Sequence, residues 1–407
     1  MSENILARLA HWLEIDLDKL AANAQVLRQH LQAQTPGVQL LAVVKNDAYG
    51  YGAVECARTL TAAGADGLAV TSLEEALQLR AAGIAAPLLV FLPPQAAELE
   101  LFARHHLTAT VDSAYTAEIL QGWPQIEYHL KINTGMNRFG VNPGADLAAV
   151  LQLLAQADAP RLTGAYSHLA TALEVDMKFA REQIARFAQA REQILAFWAQ
   201  NGQPAAQICF HLANSAGCLR FPEAHFSAVR VGSVLYGQLG LAKKMGLNIV
   251  DAFVAKARVA AVRQIARGEG VGYSREFIAS RPTRVAVIPY GYGDGFGVTP
   301  NARTLTVKDS VQEMSRNIGR LVLGRYQRGV YYQGQLLPVL GRVAMQSLMV
   351  DIGDLPIEPG AVVSVPLRRT AASARLPRVY LKNGEIVAVH TLVAQELDLG
   401  GFSPKNA

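Results

Sequence analysis

The sequence predicts an α/β protein: a (β/α)₈ barrel of the TIM type followed by a mainly β domain. Short apolar runs alternate with helical patterns over about the first 240 residues. Eight of these runs have the length and composition of buried strands, and beyond residue 252 helical periodicity becomes scarce. Eight strand–helix repeats are typical of a barrel, and a doubly wound parallel sheet is the alternative.

Residues 12–17 alternate like a strand with one solvent-facing side, and Asp18 is suited to cap the helix that follows. Ser72 and Glu75 have the spacing of a capping box at the start of a helix over 72–82, and a long helix is predicted over 174–199. The eight predicted barrel strands are residues 40–44, 67–71, 88–92, 108–111, 127–132, 162–167, 207–212 and 229–231.

The residue pattern in the second part of the chain is typical of an all-β domain. Apolar or alternating runs are separated there by glycine, proline and asparagine, and they lie at 253–259, 283–289, 336–340 and 347–352. A polar connector at 240–248 suggests the division. We therefore predict a barrel domain over 1–245 and a C-terminal mainly β domain over 246–407.

Composition excludes several classes of protein. The 407 residues are 51% hydrophobic, and the formal charge of +5 is spread without a lysine or arginine block, so we expect no nucleic-acid partner. The three cysteines have neither disulfide-framework nor zinc-site spacing, and we expect reduced, buried thiols and no metal. No apolar run reaches membrane-spanning length and no signal-peptide pattern is present, so we expect a cytoplasmic protein without a membrane partner.

Polar side chains follow the predicted strands where each strand ends. Taken singly, each has an ordinary structural explanation: Lys45 as a surface lysine, Ser215 as a helix cap, Arg230 as half of an ion pair. Because the carboxyl ends of barrel strands form one rim, we expect these side chains to converge. The residues concerned lie in the last part of a strand or in the loop after it, and Gly232 is included for its backbone amide: Lys45, Tyr49, Lys131, Asn133, Arg138, His168, His211, Asn214, Ser215, Arg230, Gly232 and Ser233.

The loops after strands seven and eight of a barrel often bind phosphate, and here they supply Ser215, Gly217, Gly232 and Ser233. A phosphate site opposite a strand-end lysine suggests a phosphorylated cofactor that bears a carbonyl group. Pyridoxal phosphate joined to Lys45 as an imine fits both ends of this arrangement.

Nine motifs in this order make the chain resemble the alanine racemase family, whose members are pyridoxal-phosphate enzymes with a barrel and a C-terminal β-domain. The motifs are KNDAYGYG at 45–52, TGMNRFG at 134–140, SHLA at 167–170, ANS at 213–215, RVG and LYG at 230–237, VGY at 271–273, GYGDG at 291–295 and GRVAM at 341–345. They extend across both predicted domains.

The resemblance implies that Lys45 and Tyr273 act as two bases on opposite faces of the substrate α-carbon, with His168 and Arg230 behind the tyrosine. Two opposed bases are what inversion of a stereocentre requires. Arg230 would face the ring nitrogen of the cofactor. The other cofactor-binding residues implied by the resemblance are Tyr49, His168, Asn214, Ser215, Gly232 and Ser233.

For the substrate, the resemblance implies that Arg138 binds the carboxylate and that Lys131, which the family often carbamylates, supports this arginine. Tyr292 and Met345 would lie at the substrate entrance. The family is also homodimeric, with Tyr273 reaching the barrel of the other subunit, so the resemblance implies a homodimer with shared active sites.

The chain departs from the family pattern near the substrate. Gln346 stands where the family usually has aspartate, and no tyrosine lies between Asp351 and Arg378, where members usually carry an entrance tyrosine. The stretch 297–335 is longer than usual. Its Tyr326, Tyr331 and Tyr332 either supply the missing tyrosine or lie on a surface hairpin.

Three functions remain open from the sequence. The first is alanine racemase, which supplies D-alanine for peptidoglycan. The second is a racemase of the same family acting on another or a broader range of amino acids, such as serine or a bulkier one, because the substrate entrance and the charge beside Arg138 differ from the family pattern. The third is a non-catalytic pyridoxal-phosphate binding protein, which would have no need of Tyr273.

Overall fold

The computed structural model describes residues 2–156, 161–201, 208–238, 240–298, 315, 328–368 and 371–391. It divides into two compact units: a barrel unit, Leu17–Ala252, and a β unit formed by Met1–Asp16 and the chain from Phe253 onward. The β unit begins with a helix, α1 (Ser2–Arg8), and a strand, β1 (His11–Asp16).

The barrel unit contains an eight-stranded sheet in which all neighbouring strands are parallel. A parallel bridge between Leu89 and Thr108 joins the first and last strands of the sheet order, so the sheet closes on itself. This confirms the predicted (β/α)₈ barrel. Its strands are β2 (Gln39–Val43), β3 (Gly67–Val70), β4 (Leu88–Val90), β5 (Ala109–Val111), β6 (Glu127–Lys131), β7 (Arg161–Tyr166), β8 (Cys209–His211) and β9 (Ala228–Val231).

Helices connect these strands because their apolar residues recur on one face. In the helix α2, the buried positions Leu20, Ala24, Leu27 and Leu31 are the ones whose spacing predicts it. Ser72 and Glu75 form the predicted capping box at the start of α5. The helices are α2 (Leu17–Gln34), α3 (Lys45–Tyr49), α4 (Ala53–Ala62), α5 (Leu73–Ala81), α6 (Leu99–Arg104), α7 (Ala114–Ile119), α8 (Ala145–Leu153), α9 (Lys178–Gln200), α10 (Ser215–Arg220) and α11 (Gly240–Lys244).

The β unit contains three sheets. The largest has seven strands in the order β16-β15-β18-β10-β1-β19-β20, beside a three-stranded sheet, β11-β14-β17, and a two-stranded ribbon, β12-β13. This confirms the predicted mainly β domain. Its further strands are β10 (Phe253–Arg258), β11 (Ala261–Ile265), β12 (Gly270–Val271), β13 (Phe277–Ile278), β14 (Thr283–Ile288), β15 (Gly329–Tyr332), β16 (Gln335–Pro338), β17 (Leu348–Asp351), β18 (Val362–Val365), β19 (Arg378–Lys382) and β20 (Glu385–His390).

The two units divide the chain after Asp16 and after Ala252, whereas the predicted boundary lies after residue 245. The strand β1 pairs with β10 and β19 in the seven-stranded sheet, so the first sixteen residues group with the β unit. At the other boundary, Asn23 of α2 exchanges two hydrogen bonds with the backbone of Val250, and the Tyr51 hydroxyl donates to Asp251. These contacts keep the chain in the barrel unit as far as Ala252.

The long stretch 297–335 is only partly described. Residues 299–314 and 316–327, and with them Tyr326, lie outside the described residues. Tyr331 and Tyr332 lie in β15, which forms an antiparallel hairpin with β16, and the Tyr331 side chain is exposed. The structure therefore agrees with the second alternative for Tyr331 and Tyr332, a position on a hairpin.

The three cysteines are free; Cys56 and Cys218 are buried, whereas Cys209 is partly exposed. None of the described helices combines the length and the apolar character that crossing a bilayer requires.

Gly164 leaves room for a histidine inside the barrel, which yields a test of the packing. A methyl group at this position would lie 2.6 Å from His129 Nε2 and 2.8 Å from the Cys209 carbonyl oxygen. We expect Gly164→Ala to lower the free energy of unfolding by about 2 kcal/mol, because the backbone oxygen cannot move away. Thermal unfolding would measure it. The control is Gly240→Ala, whose methyl group meets no atom within 4 Å; equal melting temperatures for both variants would contradict the prediction.

Candidate active site

A cavity of about 460 Å³ opens at the carboxyl ends of the barrel strands. The structure brings together around it ten of the residues that the sequence places at the barrel rim, whereas Asn133, His211 and Gly217 do not line it. The ten residues are Lys45, Tyr49, Lys131, Arg138, His168, Asn214, Ser215, Arg230, Gly232 and Ser233.

Sequence reasoning missed several lining residues. Thr71 and Phe91 directly follow β3 and β4, and Tyr166 ends β7. The rule that identified Lys45, a side chain at the end of a buried strand, would have found all three. Two of them are aromatic and the third carries a small hydroxyl group. Their residue types alone therefore do not distinguish them from residues that pack inside a barrel.

Lys45 stands at the start of a left-handed turn. Residues 46–49 have φ between 51° and 57°, a conformation that costs a residue with a Cβ about 1–2 kcal/mol. The neighbouring structure holds this turn: the Asn46 amide donates to Glu75 Oε1 at 2.5 Å, and the Ala53 amide donates to Asp47 Oδ1 at 2.7 Å. The lysine therefore projects from a backbone whose strain is sustained by its surroundings.

The cavity is strongly cationic. Four lysine and arginine side chains line it, namely Lys45, Lys131, Arg138 and Arg230, and none of the described lining residues is acidic. Burial, and then the charge of Arg138, lowers the pKa of Lys45, although Glu75 acts in the opposite direction. A lysine amine with a lowered pKa is more often neutral and so more nucleophilic.

Lys131 is the most strongly affected of these cations. Its ammonium nitrogen lies 4.3 Å from the centroid of the Tyr166 ring, inside the barrel. Burial, followed by the charges of Arg230 and Arg138, holds the pKa of Lys131 well below its usual range. Lys131 is thus a buried amine that favours its neutral form.

Arg230 remains the fixed charge at the floor of the cavity. It is 3% exposed, and its guanidinium donates to the carbonyl oxygens of Ser167 at 2.5 Å, His211 at 2.9 Å and Leu212 at 3.2 Å. Burial lowers its pKa to about 10, which still leaves it protonated at neutral pH. Backbone dipoles therefore stabilise this charge in place of a carboxylate.

A second contact of Arg230 fixes the protons on two histidines. Its Nη1 donates to Nδ1 of His211 at 2.7 Å, so His211 carries its proton on Nε2. That Nε2 lies 2.8 Å from Nδ1 of His129 and donates to it. Burial, then the charge of Arg230, lowers the pKa of His211 well below its ordinary value and that of His129 to about 3.

The loops that follow β8 and β9 meet at a narrow point. The hydroxyl of Ser215 accepts a hydrogen bond from the Gly232 amide at 3.0 Å. A Cβ on Gly232 would lie 2.2 Å from the Tyr49 hydroxyl, so only glycine lets the tyrosine reach this loop. The predicted phosphate-binding residues thus form a small cradle lined by hydroxyl and amide groups.

Asn214 links this cradle to His168. Its side-chain oxygen accepts from the Gly217 amide and caps α10, while its Nδ2 lies 3.3 Å from His168 Nε2 and donates to the Leu169 carbonyl oxygen at 3.0 Å. Burial, and then Arg230, lowers the pKa of His168 well below its ordinary value. His168 is therefore a neutral hydrogen-bond partner at the cavity wall.

The remaining predicted residues, Tyr273, Tyr292, Met345 and Gln346, lie in the β unit. Tyr273 follows β12 and is 67% exposed. The amides of Tyr292 and Gly293 donate to the carbonyl oxygens of Ala344 and Met345, so the loops of Tyr292 and Met345 pack together. All four side chains are exposed in this unit.

Comparison with known proteins agrees with this geometry. The family model described as alanine racemase, N-terminal domain, matches residues 15–239, and that of the C-terminal domain matches 252–376. An alanine racemase of Nostoc sp. is 36% identical over 87% of this chain and 86% of its own. One from Geobacillus stearothermophilus is 34% identical over 85% of this chain and 82% of its own. The structure of the Clostridium difficile alanine racemase is 26% identical, with a TM-score of 0.79 over 94% of this chain and 98% of that one.

These comparisons place the chain, with its strand-end lysine in a cationic barrel cavity and its β domain, in the class of two-domain amino-acid racemases. Both family models match this chain, and together they cover most of it. The chain belongs to the alanine racemase family.

Three neutral histidines, one buried and two partly buried, yield a prediction about acid stability. In the unfolded chain a histidine takes up a proton below a pH of about 6.5, whereas the lowered pKa values of His129, His168 and His211 delay this in the native state. The unfolded state thus binds more protons, and stability falls as pH decreases below about 6.5, by up to about 1.4 kcal/mol per pH unit for each histidine. Thermal unfolding between pH 7.5 and 5.5 measures the loss.

Replacing His129 by Gln should remove part of this pH dependence. The control is His106→Asn at an exposed position where φ is 48°, a conformation that asparagine tolerates. If His129→Gln and wild type lose the same stability over this pH range, the buried pair is not the cause.

Proposed function

We propose that this protein is a pyridoxal-phosphate-dependent alanine racemase that interconverts L-alanine and D-alanine and so supplies D-alanine for peptidoglycan. The observation that carries the proposal is the position of Lys45, an amine with a lowered pKa in a cationic cavity that Tyr49, Ser215 and Gly232 also line. Membership of the alanine racemase family supports the substrate.

The residues of the cavity fit pyridoxal phosphate. A dianionic phosphate matches a cavity in which four basic side chains meet no acidic lining residue within the described chain. The space left by Gly232, which a Cβ would fill, brings backbone amides within reach of Tyr49 and Ser215. Tyr49, Ser215, Gly232 and Ser233 would hold the phosphate, Arg230 would face the ring nitrogen, and His168 and Asn214 would complete the contacts.

Two proton-transferring groups would invert the substrate. When bound, pyridoxal phosphate supplies an aldehyde for the substrate amine and an electron-withdrawing ring that acidifies the α-proton. Lys45 Nζ would take or return this proton on one face of the α-carbon, and the Tyr273 hydroxyl would do so on the other. The lowered pKa of Lys45 favours the neutral amine that accepts a proton.

Arginine side chains would control binding and the course of the reaction. Arg138 offers a planar fork for the substrate carboxylate, with Lys131 as the neighbouring amine that the family often carbamylates. Arg230 keeps its proton, so it would donate a hydrogen bond to the ring nitrogen without protonating it. This limits electron withdrawal and favours return of the proton over side reactions.

We also propose a cytoplasmic homodimer with shared active sites. Tyr273 is exposed on its own unit, as a residue that serves the site of a second subunit would be before assembly. Sedimentation of the purified protein, with a mixed dimer of Lys45→Ala and Tyr273→Phe subunits, tests this. Complementation would leave one intact site of two, and a monomer with full activity would refute it.

The first test concerns the lysine. Wild-type protein purified with pyridoxal phosphate should show the absorbance of cofactor bound covalently to lysine and should form D-alanine from L-alanine. We expect Lys45→Ala to lose this band and to racemise more than about a thousandfold more slowly, because one proton-transferring group is removed. If wild-type protein shows no such band, the cofactor assignment is wrong.

The second test concerns the tyrosine. At equilibrium L- and D-alanine are equal, so Tyr273→Phe must slow racemisation equally in both directions, and we expect a loss of about 10²–10⁴-fold. Exchange of the α-proton with deuterium oxide should continue for the one enantiomer whose proton Lys45 removes. Near-wild-type racemisation by this variant would remove Tyr273 from the mechanism. The matched control is Tyr115→Phe, at an exposed tyrosine that does not line the cavity.

A related substrate is the second candidate. Gln346 replaces a carboxylate of the family pattern and the entrance tyrosine between Asp351 and Arg378 is missing, which favours serine or a bulkier amino acid. A panel of amino acids assayed for α-proton exchange in deuterium oxide distinguishes the two. Exchange with serine in the absence of D-alanine formation would move this candidate ahead.

A further inference from the structure

Gln183 is a fully buried polar side chain on α9, the helix Lys178–Gln200 that follows β7 along the chain. Its side chain is 0% exposed. A carboxamide taken out of water costs free energy unless its donors and acceptors find partners, so its contacts show what holds it there.

All three hydrogen bonds of Gln183 go to two loops of the candidate active site. Its Nε2 donates to the His168 carbonyl oxygen at 3.1 Å and to the Thr134 hydroxyl at 3.2 Å. Its Oε1 accepts from the Ala170 amide at 2.8 Å. The orientation of the amide is unambiguous, because the carbonyl oxygen requires a donor and the backbone amide requires an acceptor.

The two loops begin at neighbouring strands. Thr134 follows β6 and starts the segment that carries Arg138, whereas His168 and Ala170 belong to the loop after β7. The Thr134 hydroxyl also lies 2.8 Å from the Ser167 hydroxyl, and both side chains are buried. One carboxamide thereby ties the loop of Arg138 to the loop of His168.

The same helix makes a second contact with the first loop. Arg186, three residues after Gln183, donates to the Thr134 carbonyl oxygen at 3.1 Å. A methyl group on Gly135 would lie 2.9 Å from both Arg186 and Phe179, so this loop lies directly on α9. The helix is therefore a rigid support for the segment that leads to Arg138.

We propose that Gln183 is a positioning residue that sets the placement of Arg138 relative to His168, and with it the binding of the substrate carboxylate. This inference rests on the proposed function for the identity of the substrate. Loops that leave neighbouring strands have no fixed separation of their own, and a displacement of about 1 Å in a site can cost about a hundredfold in rate. The hydrogen bonds of Gln183 constrain the separation of these two loops.

The test replaces Gln183 by Met, which has a similar volume and makes none of the three hydrogen bonds. We expect the KM for L-alanine to rise about tenfold with a smaller change in kcat, because Arg138 binds the carboxylate in both ground and transition states. Hydrogen exchange of the cofactor-free protein should accelerate at the Ala170 amide and in the segment 134–138.

The matched control is Gln193→Met on the same helix. Gln193 exchanges two hydrogen bonds with the backbone of Gly144, a residue that does not line the cavity. This variant should leave KM and the exchange of both site loops unchanged even if it lowers the melting temperature. A KM for Gln183→Met equal to that of Gln193→Met overturns the proposal.

A milder variant decides the question if Gln183→Met does not fold. Thr134→Val removes the contacts of its hydroxyl with Gln183 and Ser167, and it keeps the bonds of Gln183 to His168 and Ala170. We expect faster exchange in 134–138, unchanged exchange at Ala170 and a KM increase of about threefold. Unchanged KM and exchange would overturn the coupling. If wild-type protein racemises no amino acid, the proposed function fails, while the exchange measurements still judge the role of Gln183.

Discussion

The positive charge collected at the carboxyl end of the barrel is the constraint on which the rest of the site depends. Lys45, Lys131, Arg138 and Arg230 line one cavity that has no acidic lining residue in the described chain. Cations that share a poorly hydrated space repel one another. Each of them can lose its proton, donate hydrogen bonds to neutral acceptors or bind an anion. The pKa values of Lys45 and Lys131 are lowered, and Arg230 donates hydrogen bonds to carbonyl oxygens. The cavity as a whole is suited to binding a phosphate and a carboxylate.

Much of the fold follows from local patterns. Strands such as β3 and β4 are apolar because both of their faces are buried, and the order of the strands along the chain leaves few topologies for a parallel sheet. The strand-end rule places Lys45 and Arg230 at one rim because a barrel has only one carboxyl end. By contrast, alternation identifies residues 12–17 as a strand without revealing its partners, and β1 belongs to the β unit.

The supports of the site could not be read from the sequence. Gln183 lies in a helix rich in polar residues, where a glutamine ordinarily faces solvent, and its burial depends on loops from two other strands. His129 lies two residues before Lys131 in β6. Only the register of β6 with β7, and of β7 with β8, brings His129 against His211. Side chains that act through tertiary neighbours leave no spacing signal of their own.

Glu75 belongs at once to a helix cap and to the lysine turn. One of its oxygens accepts from the amides of Thr71 and Ser72, and the other accepts from the amide of Asn46. The first turn of α5 and the left-handed turn after Lys45 therefore share one carboxylate. Neither segment can open without breaking a bond of the other, so they constitute a single cooperative unit of local unfolding, and the cofactor-free protein keeps its lysine in place for as long as α5 stays folded.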